Sequence, residues 1–115
     1  MISTSEAQTL AMRASAEWPQ IAGTPELIMH RENTVFRVQT AQGPFALRLH
    51  RQFYHSENTL RSELQFMAML ASAGMQVPIP LAARSSDLLH ALPTAEGARF
   101  FSMLSWLPGT PLGKS

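Results

Sequence analysis

Arg48 and Glu63 are the two residues of this chain whose types and placement could do chemistry together. Arg48 lies in the run Phe45-Ala-Leu-Arg-Leu-His-Arg51. There Phe45, Leu47 and Leu49 alternate with Ala46, Arg48 and His50, the period of a half-buried strand, so Arg48 falls on the face opposite the apolar one. Glu63 lies between Thr59 and Ala73, a segment that reads as an amphipathic helix. At about 100° per residue, Leu60, Leu64, Phe66, Met67 and Leu70 form one wide apolar arc, with Arg61, Ser62, Gln65 and Ser72 opposite. Glu63 falls inside the apolar arc. A buried carboxylate without a partner costs several kcal/mol, so it needs a cation or donors. The nearest upstream strand offers Arg48. The expected result is an ion pair from strand to helix, which would fix a guanidinium in place.

The surrounding elements must position that pair. Ser5-Glu-Ala-Gln8 has the form of a capping box opening a helix that runs to about Trp18 and ends at Pro19. Strands are expected at Glu26–His30 and Val35–Thr40 around the polar turn Arg31-Glu-Asn-Thr34, followed by the turn Ala41-Gln-Gly-Pro44 and the Arg48 strand. Ser56 is placed to cap the Glu63 helix, with Glu57 in its first turn and Gly74 at its end. Val77-Pro-Ile-Pro80 reads as an extended crossing, because each proline disfavours helix before it. A short strand is expected at Leu81–Arg84, and then a hairpin of Leu88–Pro93 and Arg99–Trp106 around Thr94-Ala-Glu-Gly97. The sum is an α+β layer: an N-terminal helix and a five-stranded antiparallel sheet with one helix inserted after the third strand.

A chain of 115 residues with 45% hydrophobic content can build one modest core. A net charge of +1 gives no basic field for nucleic acid. The lack of cysteine excludes a disulfide framework and thiolate metal sites and fits a reducing compartment. No signal-like N-terminus or long apolar run is present, so a soluble, cytoplasmic protein without a membrane partner is expected.

In its order of strands, turns and helix the chain resembles the N-terminal lobe of the protein-kinase-like phosphotransferases. Within these it is most similar to the aminoglycoside phosphotransferase, choline kinase and homoserine kinase type II group. The runs that carry the resemblance are Arg31-Glu-Asn-Thr-Val-Phe-Arg-Val38, Leu47-Arg-Leu-His-Arg51, Ser62-Glu-Leu64, Pro78-Ile-Pro80 and the hinge-like Trp106-Leu-Pro-Gly109. They span about Glu26 to Leu112. The resemblance implies a nucleotide-binding lobe at residues 26–106, preceded by a helix and loop at 1–25 and followed at 107–115 by the start of a linker to a second lobe.

The resemblance also implies roles. Arg48 takes the place of the strand lysine that holds nucleotide phosphates, and Glu63 that of the glutamate orienting it. The change to arginine keeps the role, since its planar fork suits bidentate phosphate contacts. Asn33 and Thr34 stand in the phosphate-covering turn, although that turn contains no glycine. Ala46 matches a small residue packing on adenine. Leu104, Ser105 and Leu107 belong to the hinge whose backbone meets the base edge, with Met103 or Leu104 as gatekeeper and Leu104 preferred. The implied cofactors are ATP, or another nucleoside triphosphate, and Mg²⁺. The implied acceptor is a small-molecule alcohol or amino alcohol.

Phosphoryl transfer in this class also needs a catalytic aspartate and a second acid for the metal, both beyond the hinge. The sole aspartate, Asp87, sits in Ser85-Ser-Asp87 and reads as a turn residue. No catalytic residue is therefore expected within the chain, and a polypeptide roughly two to three times longer, with a C-terminal lobe, is implied.

Plainer readings stand beside these. Taken alone, the Arg48–Glu63 pair is more simply structural; the order of elements is what favours a kinase. A non-catalytic interaction module or pseudokinase and a protein-directed kinase are the competitors. His30, His50, His55 and His90 show no metal-ligand spacing and read as surface or half-buried. Arg51 and Arg61 read as solvated charges, Met67, Met69 and Met75 as adaptable core, and Phe100, Phe101 and Trp106 as core residues of a strand.

Overall fold

The computed structural model describes residues 3–30, 34–50, 56–95 and 97–106, in the order α1 (Thr4–Ser15), β1 (Ala22–His30), β2 (Thr34–Thr40), β3 (Gly43–Leu49), α2 (Glu57–Ser72), β4 (Leu89–Thr94) and β5 (Gly97–Ser105). The five strands form one antiparallel sheet in the order β1-β2-β3-β5-β4. The α+β layer with a helix after the third strand is thus the observed architecture.

Each sheet face has its own cover. Phe36, Val38, Leu47, Leu49, Phe101 and Met103 point to one face and meet Ala7, Leu10, Ala11 and Ala14 of α1, together with Trp18. The alanines let the helix backbone approach the sheet. Trp18 is fully buried, and its indole N–H donates to the Leu81 carbonyl at 2.8 Å, so burial of the large ring leaves no polar atom unsatisfied. On the other face, Leu60 and Leu64 of α2 pack on Leu89 and Leu104, with Met67, Leu88 and Phe100 partly buried around them. Strand alternation sends Phe100 to one side and Phe101 to the other.

The ends of the helices show which local signals prevailed. The cap of α1 is Ser3, whose hydroxyl accepts from Glu6 N–H at 3.1 Å while Glu6 reaches back to Ser3 N–H. The box is therefore Ser3–Glu6 and not Ser5–Gln8, since a carboxylate at the third helical position also favours the positive end of the helix dipole. Ser56 caps α2 as expected. Its C-terminus closes in a Schellman motif: Gly74 N–H donates to Ala71 O and Met75 N–H to Leu70 O, with Gly74 at φ +88.

Three further expectations are corrected. The first strand begins at Ala22, not Glu26, through an irregular stretch that includes Pro25, whose carbonyl accepts from Gln8 Nε2 at 2.8 Å. Pairing after the prolines occurs at Ile79 to Leu81 and not over Leu81–Arg84: Pro80 bridges Leu104, Leu81 N–H donates to Met103 O, and Ser105 N–H donates to Ile79 O. β4 reaches only as far as Ser102 along β5, and this segment takes the place beside the rest. The apolar arc of α2 is narrower than its composition suggests, because Phe66 and Met69 are more than half exposed, as is Met75 beyond it.

Candidate functional site

The pairing of β2, β3 and β5 sets out the site in rows. Antiparallel partners share a face, so Arg37, Ala46 and Leu104 form one row and Val35, Arg48 and Ser102 the next. Both rows lie on the α2 face. Ala46 is fully buried and Leu104 nearly so, Leu104 packing with Leu60, Leu64 and Leu89 in the α2 core, so Arg37 is the exposed member of its row. Arg48 stands two residues along β3 from Ala46, a rise of about 6.6 Å.

Arg48 reaches toward α2, where its Nη1 lies 3.7 Å from Glu63 Oε1, with the two side chains 21% and 45% exposed. The expected strand-to-helix pair is present, but Glu63 is not on a buried face. It lies on the flank of α2, turned about 60° from Leu60 and about 100° from Leu64 on the helical wheel. The reason for pairing is correspondingly different: Arg48 is the more buried partner. Burial draws its guanidinium below the ordinary arginine pKa, and the Glu63 carboxylate opposes that shift. Arginine keeps its charge in either case. Among the described residues Glu63 is its one ionic partner, and at 3.7 Å one carboxylate cannot occupy five N–H donors. The remaining donors can take an oxyanion.

The other expected site residues divide. Leu104 takes the place beside Ala46, while Met103 points into the α1 core, so Leu104 is the one on the Arg48 face. Ser105 N–H donates to the Ile79 carbonyl at 2.9 Å and its Oγ accepts from Ile79 N–H at 2.8 Å, so the backbone N–H is not available to a ligand edge. Thr34 is buried and pairs with Leu49, on the parity of the α1 face and not that of Arg48. Asn33 and Leu107 lie outside the described residues.

Several residues entered the site, or left it, against expectation. His50 is buried, not superficial: its Nε2 lies 2.7 Å from Ser102 Oγ, and its carbonyl accepts from Arg99 Nη2 at 3.5 Å. Ser102 is the cross-strand partner of Arg48, so a buried polar pair borders the guanidinium. Arg37 lies with its Cζ 5.4 Å from the ring centroid of Trp106, which is half-buried and not a core residue. The alternation of β2 marks Val35 and Arg37 as sharing a face, but only the register across the sheet puts them beside Ala46 and Arg48. Arg61 is not merely solvated. It bonds Glu57 Oε2 at 2.9 Å and Asp87 Oδ1 at 3.2 Å, and these partners raise its pKa. The sole aspartate is thus tied to α2 through its side chain, whereas the turn is held by backbone bonds such as Ala83 N–H to Asp87 O. Among the described residues no cluster of His, Asp or Glu has metal-ligating geometry, and no helix is long and apolar enough to cross a membrane.

Comparison with known proteins agrees with this geometry. Residues 26–114 match the model of the phosphotransferase enzyme family. An uncharacterised protein of Deinococcus radiodurans is 34% identical over 80 residues, which are 70% of this chain and 23% of that protein. A microcompartment-associated aminopropanol kinase superposes with a TM-score of 0.77 at 24% identity, over 90% of this chain and 33% of that one. An amicoumacin kinase, solved with AMP-PNP, Ca²⁺ and Ami, gives 0.74 at 17% identity over 95% of this chain and 34% of its own. The chain spans about a quarter to a third of the length of these proteins. A five-stranded sheet between two helices, an arginine–glutamate pair from β3 to α2 and a family match over most of the sequence agree, and the chain belongs to the phosphotransferase enzyme family.

Proposed function

We propose that this chain is the nucleotide-binding lobe of an ATP-dependent phosphotransferase whose acceptor is the hydroxyl of a small alcohol or amino alcohol. The observation that carries the reading is the placement of Arg48. Its guanidinium is partly buried, tethered to Glu63, and set one row from the buried apolar side chains of Ala46 and Leu104. Phosphates at Arg48 set the attached base toward the neighbouring row, whose exposed member is Arg37. Glu63 limits the conformations of the guanidinium, so less entropy is lost when an anion binds. Asn33 and Thr34 are assigned to the turn that would cover the phosphates. Mg²⁺ would supply charge neutralisation at the phosphates, and its ligands would lie in a second lobe of the same polypeptide. The acceptor class is supported by family membership and by the likeness in fold to an aminopropanol kinase. A cytoplasmic setting suits both the nucleotide and the cysteine-free composition.

The test is Arg48→Ala in the intact protein, with nucleotide affinity measured by titration calorimetry and turnover by release of ADP. We expect affinity to fall about tenfold or more, the range for loss of a charged hydrogen-bonding partner. Unchanged affinity and turnover would refute the assignment.

A further inference from the structure

We propose that Arg37 is a base-stacking residue, held ready by Trp106, whose contribution to nucleotide binding is the same for adenine and guanine. The inference rests on the reading of the Arg48 face as a nucleotide site and adds to it a residue and a mode of recognition. Arg37 is exposed, yet its guanidinium is not left to wander: Cζ lies 5.4 Å from the centre of the Trp106 ring. Its cross-strand partner is Ala46, which in turn pairs with Leu104. A planar cation therefore ends the row whose inner members are a methyl group and an isobutyl group.

The chemistry follows from what this row offers. Ala46 and Leu104 carry no polar side-chain atom, and the Ser105 N–H is taken by the Ile79 carbonyl. A base brought to this row thus meets its exposed member, the Arg37 guanidinium, because Ala46 and Leu104 are covered within the chain. Guanidinium planes stack on any base, because every base has a π-face, whereas discrimination requires hydrogen bonds to a particular edge. Trp106 restricts Arg37 in advance of binding, which reduces the ordering needed when a base arrives. A tripolyphosphate, which has no base, gains nothing from the arrangement.

Titration calorimetry of the intact protein with Mg-ATP, Mg-GTP and Mg-tripolyphosphate separates the outcomes. Arg37→Ala should weaken ATP and GTP by a similar factor, about fivefold or more, and leave tripolyphosphate unchanged. Trp106→Leu, which frees Arg37, should weaken both nucleotides by a smaller factor, and Arg37→Lys should fall between wild type and Arg37→Ala, which guards against a folding defect in any one variant. Arg48→Ala should weaken all three ligands. If Arg37→Ala binds ATP as the wild type does while Arg48→Ala does not, the stacking role is overturned and the nucleotide site stands. Equal weakening of tripolyphosphate by Arg37→Ala would make Arg37 a general electrostatic contact and also overturn the proposal. No nucleotide binding by the wild type would overturn both readings.

Discussion

Nη1 of Arg48 lies 3.7 Å from Oε1 of Glu63, and the glutamate is the more exposed of the two, at 45% against 21%. The pair spans the gap between β3 and α2, so its value lies in where it holds the arginine. An exposed carboxylate is readily solvated, and its removal costs the fold little. The cation has more to lose, because its stem is enclosed by the sheet.

Glu63→Gln should accordingly lower unfolding free energy by less than about 1 kcal/mol, the range for exposed ion pairs. It should still weaken nucleotide binding, since Arg48 is no longer tethered. Urea unfolding and calorimetry on the same variant check both halves. A loss of several kcal/mol would show that the carboxylate is energetically buried.

Ser102→Ala removes the hydroxyl 2.7 Å from His50 Nε2 in a fully buried setting. A buried polar group that loses such a partner costs about 1–3 kcal/mol. Denaturant unfolding should show that decrease, and Ser102→Thr should recover part of it.

Trp18→Phe keeps an aromatic ring but removes the N–H that reaches Leu81 O. The smaller ring and the lost donor together should cost about 1–3 kcal/mol. Because Leu81 also donates to Met103 O, amide exchange at Leu81 should quicken in this variant.

Gly74→Ala tests backbone conformation alone. No atom lies within 4 Å of the position a Cβ would take, so the cost comes from φ +88. A destabilisation of about 1 kcal/mol is expected, with Gly74→Asn milder because asparagine tolerates that region better.

Asp87→Asn breaks the exposed contact with Arg61 at 3.2 Å. Stability should change by less than about 1 kcal/mol, and less still in high salt. Turnover of the intact protein should be unaffected, since Asp87 serves α2; a loss of turnover with intact folding would show that the aspartate acts in the reaction.

The sequence by itself determined most of the elements and one contact between them. Alternation around Arg48, the cap at Ser56 and the stop at Gly74 are local signals, read within a few residues, and each matches the structure. The pairing of Arg48 with Glu63 was legible because a strand and the next helix leave few partners for one another. Tertiary structure decided the rest. The width of the buried face of α2 depends on how the helix sits on Leu89 and Leu104, so Phe66 and Glu63 stay exposed despite their place on the wheel. Where His50 meets Ser102, and where Arg37 joins the row of Ala46 and Leu104, depends on the register of strands distant in sequence. Periodicity assigns a side chain to a face, but only strand pairing fixes which neighbours it meets there.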